Sequence, residues 1–369
     1  MRVLLVLYGG LEQISGGYLY DRKVVGFLRE RGVQVDLLGL PARPYLLGPL
    51  QPQPPALRRL FADRADREAC PYEAVVVDEL VHPSLFRAAG AWARRRPRSA
   101  AARPRLLVLV HHLRCRERLA APMRALAAIL ERRLLGVSDA VIASSRATAA
   151  TVQELLGRPA PIAVCPPGCD ELPLEPPPLE PRPARDPRPV RLLCTGNLIP
   201  RKGQDLLLRA LAGLKGLSWT LRIVGRPADR RYTRRLQART RAYGLADRVV
   251  FAGALDAGPL AEEYRRAEVF AFPSRYEGYG ISLAEALRAG LPFVAFAGGG
   301  VSEVVQGRGL LAPPGDLKAF QAHLGRLIAD PALRARMAAL SRELAAGLPS
   351  WQDTGRCFLR VLQTAATHG

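Results

Sequence analysis

The chain has 369 residues, 49% of them hydrophobic, and its 54 Lys and Arg outnumber its 33 Asp and Glu to give a formal net charge of +21. This length suits two domains that each bury a core, and the positive surplus predicts attraction to a polyanion or an anionic lipid surface. The longest apolar runs, such as residues 105–110, are strand-sized and well short of the roughly 20 residues of a membrane span, which excludes a membrane-spanning helix.

The first apolar run, Met1–Tyr8, is too short for a signal peptide and lacks a small-residue cleavage site, so we read it as a strand and expect a cytoplasmic protein. The six cysteines contain no Cys-x-x-Cys pair, so their spacing indicates neither a zinc site nor a disulfide framework. We therefore expect Cys165 and Cys169 to be reduced thiols.

Residues 1–172 alternate short apolar runs with longer helical patterns, which predicts parallel strands joined by crossover helices in an open α/β sheet. The predicted strands are Val3–Tyr8, Val33–Leu38, Ala74–Val77, Leu106–Val110, Ala140–Ala143 and Ile162–Cys165. The pattern stops at the proline-rich segment 173–189, which we interpret as a stiff linker because proline has no amide proton and a fixed φ.

The alternation resumes over residues 190–349, so the second domain is also predicted to be α/β. Its strands are predicted at Val190–Cys194, Thr220–Val224, Arg248–Phe251, Val269–Phe272 and Pro292–Ala295. In the last segment, 350–369, the apolar residues from Trp351 to Thr364 have helical spacing, which predicts a C-terminal helix that packs across the domain junction against the first domain.

A glycine-rich loop with two glutamates separates the predicted strand ending at Phe272 from the next helix. Glu277 lies in the loop with Gly278 and Gly280, and a helix predicted to begin near Ser282 carries Glu285. The glycines allow close backbone approach to a ligand, and the first helix amides, those of Ile281, Ser282 and Leu283, can bind an anion.

This loop and helix resemble the signature of glycosyltransferase family 4, a retaining family with the GT-B fold of two Rossmann-like parallel-sheet domains facing a cleft. The resemblance implies that Glu277 binds hydroxyls of the transferred sugar and Glu285 the nucleotide ribose. Carboxylates suit both roles because they accept paired hydrogen bonds from diols. The alternative, a solvated loop glutamate and a helix-surface charge, is weaker because Glu285 stands among apolar residues.

Residues 194–205 follow the first predicted strand of the second domain and are similar to the family's Gly-Arg-Leu-x-x-x-Lys-Gly pattern. The resemblance implies that Gly196, Arg201 and Lys202 bind the donor and that the two cations stabilise the departing diphosphate. Taken alone, Arg-Lys-Gly would be an ordinary basic turn. No Asp-x-Asp occurs, so we expect no metal and no cofactor, with a nucleotide-diphosphate sugar as donor, UDP-sugar favoured over GDP-sugar.

In the first domain, the family's Gly-Gly loop corresponds to Gly16 and Gly17, whose amides at a helix start can meet the donor. His111 closes a predicted strand where related enzymes place a sugar-contacting histidine, with His112 as the less favoured substitute. The loop 297–303 resembles the family's Gly-Gly-x-x-Glu segment and supports the architecture of the donor domain.

The basic region 85–135 holds about half of the positive surplus, and its residues 118–135 interleave Arg with apolar residues at helical spacing. A basic amphipathic helix can lie on an anionic membrane, although codon bias towards arginine and an ordinary domain helix are open alternatives. We expect a peripheral, monotopic enzyme on the inner face of the cell membrane with a lipid-linked or glycolipid acceptor. Near the acceptor hydroxyl we place Asp78, Glu79 and His82, with His112 as a further candidate.

Together these features predict front-face transfer of a hexose in the interdomain cleft. The catalytic residues implied are His111, Glu277, Arg201 and Lys202, and retention follows from the resemblance alone. The alternatives are another GT-B activity, a phosphorylase or an epimerase, and a nonenzymatic basic protein that binds nucleic acid. No nucleic acid is expected, because the chain lacks a recognisable binding module or aromatic platforms.

Overall fold

The structure is a computed structural model that describes residues 1–42, 45–50, 71–94, 104–174 and 188–367. The chain divides into two compact units, the first formed by Met1–Pro167 with Trp351–Gly369 and the second by Gly168–Ser350. Most of the predicted linker 173–189 and the arginines of the basic region between 95 and 103 lie outside the described residues.

The first unit contains a parallel six-stranded sheet of order β2-β1-β3-β4-β5-β6. Its strands are β1 Arg2–Tyr8, β2 Gln34–Leu40, β3 Ala74–Asp78, β4 Arg105–Val110, β5 Ala140–Ala143 and β6 Ile162–Val164. All of β3 is buried, as expected where helices cover both faces of a parallel sheet. All six strands were predicted, with ends that differ by no more than two residues.

Four helices of this unit alternate with the strands: α1 Gly16–Glu30, α2 Phe86–Arg94, α3 Ala121–Val137 and α4 Arg146–Leu156. Helix α1 begins after Ser15, whose hydroxyl accepts from the amide of Tyr18 as an N-cap. Its buried positions include Val24 and Leu28, four residues apart on one helix face. The chain leaves α1 through Gly32, whose φ of +77° suits glycine.

The second unit contains a parallel six-stranded sheet of order β12-β11-β10-β7-β8-β9. Its strands are β7 Val190–Thr195, β8 Trp219–Val224, β9 Val249–Gly253, β10 Val269–Phe272, β11 Phe293–Phe296 and β12 Leu310–Ala312. The three-residue edge strand β12 was not predicted. The two sheets confirm the predicted α/β class.

The described part of the second unit contains seven α-helices, and its large core includes the fully buried Trp219, Tyr264 and Phe270. The helices are α5 Gln204–Ala212, α6 Arg230–Ala242, α7 Ala257–Arg266, α8 Ile281–Arg288, α9 Val301–Val304, α10 Leu317–Ala329 and α11 Pro331–Ala346. None of the described helices combines the length and apolar character that crossing a membrane would require.

The C-terminal helix α12, Trp351–Thr367, packs within the first unit, as predicted for the end of the chain. Its Gly355 faces the ring of Phe27 on α1, where an added Cβ would come within 2.2 Å of a ring carbon. Thr354 donates its hydroxyl to the carbonyl of Pro166 at 2.7 Å. The close approach of α12 to α1 therefore depends on a residue without a side chain.

A disulfide joins Cys165, directly after β6, to Cys357 on α12, across 192 residues of sequence. The prediction that Cys165 is a reduced thiol is therefore wrong, because the fold and not local spacing brings the two cysteines together. Cys169 is a free and buried thiol, as predicted.

Candidate functional site

Two loops meet at the C-terminal edge of the second sheet, where the adjacent strands β7 and β10 end. Such an edge is where open α/β sheets bind ligands. A Cβ at Gly203, where φ is +70°, would come within 2.0 Å of the Pro273 carbonyl oxygen. At Gly196 an added Cβ would lie 3.3 Å from the Lys202 side chain. Gly203 therefore lets the loop after β7 pack directly against the loop after β10, whereas Gly196 makes room for the Lys202 side chain within its own loop.

Glu277 is held between the two predicted cations. Lys202 donates its Nζ to Glu277 Oε1 at 2.6 Å, and Arg201 donates to Oε2 at 3.1 Å. Burial alone would raise the pKa of Glu277, but the charges of Lys202 and Arg201 lower that pKa to about 2. Glu277 is only 6% exposed, so it is not a solvated loop residue.

A second ion pair, which the sequence analysis missed, ties the same loops together. Arg275 donates to both oxygens of Asp205 at 2.8 Å, and its amide donates to the Arg201 carbonyl at 2.9 Å. Tyr232 donates its hydroxyl to Asp205 at 2.7 Å. A bidentate Arg–carboxylate pair fixes orientation as well as distance, so this pair sets the spacing of the two loops.

Helix α8, which carries the second predicted glutamate Glu285, begins directly after the glycine-rich loop. Gly280 precedes it with φ of +110°, and the Leu283 amide already donates to the Gly280 carbonyl at 2.9 Å. Of the three amides predicted to bind an anion, those of Ile281 and Ser282 lie in the first turn without an intrahelical partner, as at any helix start.

Glu285, the second predicted glutamate, lies on α8 and is 7% exposed. It accepts a hydrogen bond from the hydroxyl of Tyr264 at 2.7 Å, a partner that the sequence analysis did not identify. Burial raises the pKa of Glu285 to about 7, against the opposing effects of Tyr264 and Lys202. A helix-surface charge is therefore excluded for this residue.

The loop 297–303 packs on the backbone around Glu277. The Gly300 amide donates to the Glu277 carbonyl at 2.9 Å, and a Cβ on Gly300 would come within 2.3 Å of the Gly278 carbonyl oxygen. Gly299 has φ of +57°, and its Cβ would meet the Glu277 carbonyl oxygen at 2.1 Å. This close packing agrees with the architectural role predicted for the loop.

In the first unit, the predicted Gly-Gly loop and the predicted histidine are neighbours. Gly16 and Gly17 form the first turn of α1, and His111 follows directly after β4. A Cβ on Gly17 would lie 3.2 Å from the His111 ring. The glycine therefore lets the start of α1 approach the histidine closely.

The His111 ring is bordered by two buried carboxylates. Its Nε2 lies 3.4 Å from Asp21 Oδ1 on α1 and 3.8 Å from Asp78 Oδ2 at the end of β3. Burial would lower the pKa of His111, but the carboxylates of Glu79, Asp21 and Asp78 raise that pKa to about 10. Burial and the neighbouring carboxylates of Glu79 and Asp21 raise the pKa of Asp78, against the opposing effect of His111.

Asp21 was not singled out in the sequence. The sequence did contain a usable signal, because Asp21 stands one helical turn before Val25 on α1. Asp21 therefore occupies a core position of the helix, where an apolar residue would be expected. The carboxylate is 1% exposed, and neither of its oxygens has a hydrogen bond.

Of the residues predicted near an acceptor hydroxyl, Asp78, Glu79 and His82 are buried. His112 is half-buried, and its Nε2 lies 3.0 Å from Glu117 Oε1. The Glu79 carboxylate accepts from the amides of His111 at 2.9 Å and His112 at 3.4 Å. His82 is 3% exposed, with Nε2 2.6 Å from the Tyr45 hydroxyl, and burial lowers its pKa to about 4. Their role toward an acceptor stays a prediction, and the geometry shows that Glu79 orients the end of β4.

Helix α3 covers much of the predicted basic amphipathic segment. Its Leu130 and Leu134 are buried in the core of the first unit, so the apolar face is mostly occupied. Arg124 and Arg132 are exposed on the other side, and Ile129 between them is 59% exposed. Helix α3 therefore presents a basic face with one exposed apolar residue, Ile129.

Two family models match the chain. Residues 2–168 match the glycosyl transferase 4-like domain, and residues 179–344 match glycosyl transferases group 1.

Curated relatives carry related names. A GDP-mannose-dependent α-(1-6)-phosphatidylinositol monomannoside mannosyltransferase from Mycolicibacterium smegmatis is 33% identical over 63% of this chain and 64% of its own length. A D-inositol 3-phosphate glycosyltransferase from Xylanimonas cellulosilytica is 34% identical over 64% of this chain and 59% of its own. The chain thus spans somewhat less than two thirds of the length of these relatives.

Solved structures share the fold over the whole chain. Sucrose-phosphate synthase from Thermosynechococcus elongatus superposes with a TM-score of 0.78 at 23% identity and covers 100% of both chains. HepE from Anabaena, solved with UDP and glucose, gives a TM-score of 0.73 at 20% identity over 99% of this chain and 100% of its own.

Proposed function

Because the chain belongs to the group 1 glycosyltransferases, with a glycosyltransferase 4-like domain in its N-terminal half, we propose that it is a retaining hexosyltransferase. It moves a hexose from a nucleotide-diphosphate sugar to an acceptor hydroxyl. The observation that carries this proposal is the buried Glu277 held between Lys202 and Arg201 at the end of β7 and β10. Retention is proposed from the family resemblance.

In this proposal Lys202 and Arg201 neutralise the charge that develops on the departing diphosphate, so no metal is required there. Hydrogen bonds to Glu277 fix both side chains, and fixed donors are the condition for efficient electrostatic stabilisation. Glu277 stays ionised and accepts from hydroxyls of the sugar, while Glu285 accepts from the ribose. The Ile281 and Ser282 amides face the diphosphate at the start of α8.

We propose UDP-sugar ahead of GDP-sugar as the donor, and the structural neighbour HepE was solved with UDP. The M. smegmatis relative is named for GDP-mannose, which makes GDP-mannose the main competitor.

The relatives named for phosphatidylinositol mannoside and inositol 3-phosphate support an acceptor that carries inositol phosphate, free or lipid-linked. A lipid-linked acceptor fits a peripheral location on the inner face of the cell membrane, with the basic face of α3 against anionic lipid. Each cation near such a surface contributes roughly 1 kcal/mol.

The decisive experiment is a panel of UDP- and GDP-sugars tested by calorimetry and by donor hydrolysis, with the Glu277→Gln variant as the site-specific control. We expect one nucleotide sugar to bind wild type and not the variant. If no nucleotide sugar binds, or if inorganic phosphate and an oligosaccharide are the substrates, the transferase assignment is wrong.

Membrane association is tested by sedimentation with anionic and neutral vesicles. Arg124→Glu should weaken binding to anionic vesicles, whereas Arg234→Glu, a charge reversal at another exposed arginine on α6, should not. Equal effects of both variants would favour a general charge effect, and stronger binding to RNA than to vesicles would favour the nucleic-acid alternative.

A further inference from the structure

Asp21 is a buried acid that the proposed reaction does not use directly. Its carboxylate is 1% exposed, neither oxygen has a hydrogen bond, and Oδ1 lies 3.4 Å from His111 Nε2. An unsatisfied buried carboxylate costs considerable free energy unless a cation accompanies it. The imidazole is the cationic group that faces it among the described residues.

We propose that Asp21, together with Asp78, positions His111 by its Nε2, so that the ring presents Nδ1–H as a hydrogen-bond donor to the bound ligand. The two carboxylates come from different elements, α1 and the end of β3, and both approach the same ring nitrogen. This inference rests on the proposed function, in which His111 contacts the sugar.

The contacts determine which part of the ring is available. Nε2 is buried, and the His111 carbonyl already accepts from the Ser144 hydroxyl at 2.9 Å. No residue in the described part of the chain is hydrogen-bonded to Nδ1, and 13% of the side chain is exposed. The ligand can therefore meet the ring at its Nδ1 side.

The protonation state follows from the groups around the ring. Asp21 faces it from α1, Asp78 and Glu79 face it from the end of β3, and the Tyr20 ring packs edge-on with centroids 5.1 Å apart. A ring that is protonated on both nitrogens donates through Nδ1, whereas a neutral ring with its proton on Nε2 could only accept there. His111 thus acts as a fixed donor and not as a general base.

Gly17 completes the arrangement. Its Cα faces the ring so closely that a Cβ would be 3.2 Å from His111 Cδ2. The predicted Gly-Gly loop, the histidine and Asp21 are therefore one unit, in which α1 supplies both the packing surface and the carboxylate.

The test combines 15N NMR of the histidine rings with a pH profile of kcat/KM for wild type, Asp21→Asn and the control Asp36→Asn. Asp36 is a part-exposed acid of the same unit that pairs with Arg2. We expect His111 to be doubly protonated at pH 8 in wild type and in Asp36→Asn, and neutral in Asp21→Asn. The loss of kcat/KM in Asp21→Asn should be about 10- to 100-fold at pH 8 and smaller at pH 6, where the ring regains its proton.

A neutral His111 in wild type at pH 8 would overturn the proposal even if Asp21→Asn failed to fold. An unchanged pH profile in a folded Asp21→Asn would overturn it as well. The three side chains also offer donor atoms within 4.8 Å of one another, so stoichiometric Mn²⁺ or Zn²⁺ that is lost in Asp21→Asn would replace the proposal with a metal site. The NMR experiment needs no substrate, so its outcome is separate from failure of the transferase assignment.

Discussion

Lys202 donates its Nζ to Glu277 Oε1 at 2.6 Å, although 75 residues separate them in the sequence. The pair stands at the ends of the neighbouring strands β7 and β10, and Arg201 binds the other carboxylate oxygen. A buried carboxylate with two cationic donors has fixed charge and orientation.

Lys202→Met should leave Glu277 with one cationic partner and remove a charge from the diphosphate site. We expect turnover to fall about 100- to 1,000-fold and the free energy of unfolding to fall by about 1–3 kcal/mol, because a buried acceptor loses its donor. Steady-state kinetics and urea denaturation measure the two effects.

The matched control is Arg308→Met, which breaks the exposed bidentate pair with Glu343 in the same unit. We expect this control to change neither turnover nor stability measurably, since solvent screens exposed pairs. A Lys202→Met variant that turned over like the control would contradict the site assignment.

Glu285 should make donor binding depend on pH near neutrality. Its pKa is raised to about 7, so the carboxylate form that accepts from ribose hydroxyls is lost as the pH falls below 7. We expect the affinity for an intact nucleotide sugar to decrease between pH 8 and pH 6. The largest decrease in affinity that we expect is about tenfold for each pH unit below the pKa of Glu285.

Glu285→Gln keeps a neutral side chain that can still accept from the Tyr264 hydroxyl. Calorimetry should show weaker binding in this variant and no pH dependence over the same range. A wild-type affinity that is constant from pH 6 to pH 8 would show that the Glu285 carboxylate does not bind the donor.

The His111 cluster should also appear in the stability of the fold. The pKa of His111 is raised from an ordinary 6.5 to about 10, so the cluster contributes most stability below pH 6.5 and loses it as the pH rises toward 10. Thermal denaturation of wild type should therefore show a decline between pH 7 and pH 10 that is smaller in His111→Gln. Equal declines in both proteins would contradict the imidazolium assignment.

Much of the fold was predictable because its strands carry continuous apolar runs that a parallel sheet buries. The edge strand β12 was not predicted, although β6 of the same length was. The disulfide was not predicted because it joins positions 192 residues apart. The burial of Glu277 and Glu285 could be read from a motif that stands in one segment, while their role toward a donor stays a prediction. Tyr264, Asp205 and Asp21 were missed because their roles depend on contacts between distant segments.

The disulfide between Cys165 and Cys357 should stabilise the attachment of α12. A cross-link that closes a loop of this length contributes about 2–5 kcal/mol, so Cys357→Ser should lower the free energy of unfolding by a similar amount. Limited proteolysis should then release α12 faster from Cys357→Ser than from wild type. Wild type should release α12 at a similar rate only after the disulfide has been reduced. A peptide map that lacks the linked Cys165 and Cys357 peptides would contradict the disulfide. Proteolysis of wild type that does not change when a reductant is added would contradict it as well.

Gly203 and Gly253 provide a matched pair of substitutions, since their φ angles are +70° and +73°. An added Cβ at Gly253 meets nothing within 4 Å, whereas at Gly203 it would come within 2.0 Å of the Pro273 carbonyl oxygen. Gly253→Ala should therefore cost only the backbone strain of a left-handed alanine, about 1 kcal/mol.

Gly203→Ala must in addition push apart the loops after β7 and β10, which carry Lys202 and Glu277. We expect it to lose more stability than Gly253→Ala in urea denaturation and to lose donor affinity in calorimetry, while Gly253→Ala keeps wild-type affinity. Because the two variants share the same backbone strain, any difference in donor affinity reports the spacing of the loops. Equal affinities in the two variants would show that donor binding does not depend on that spacing.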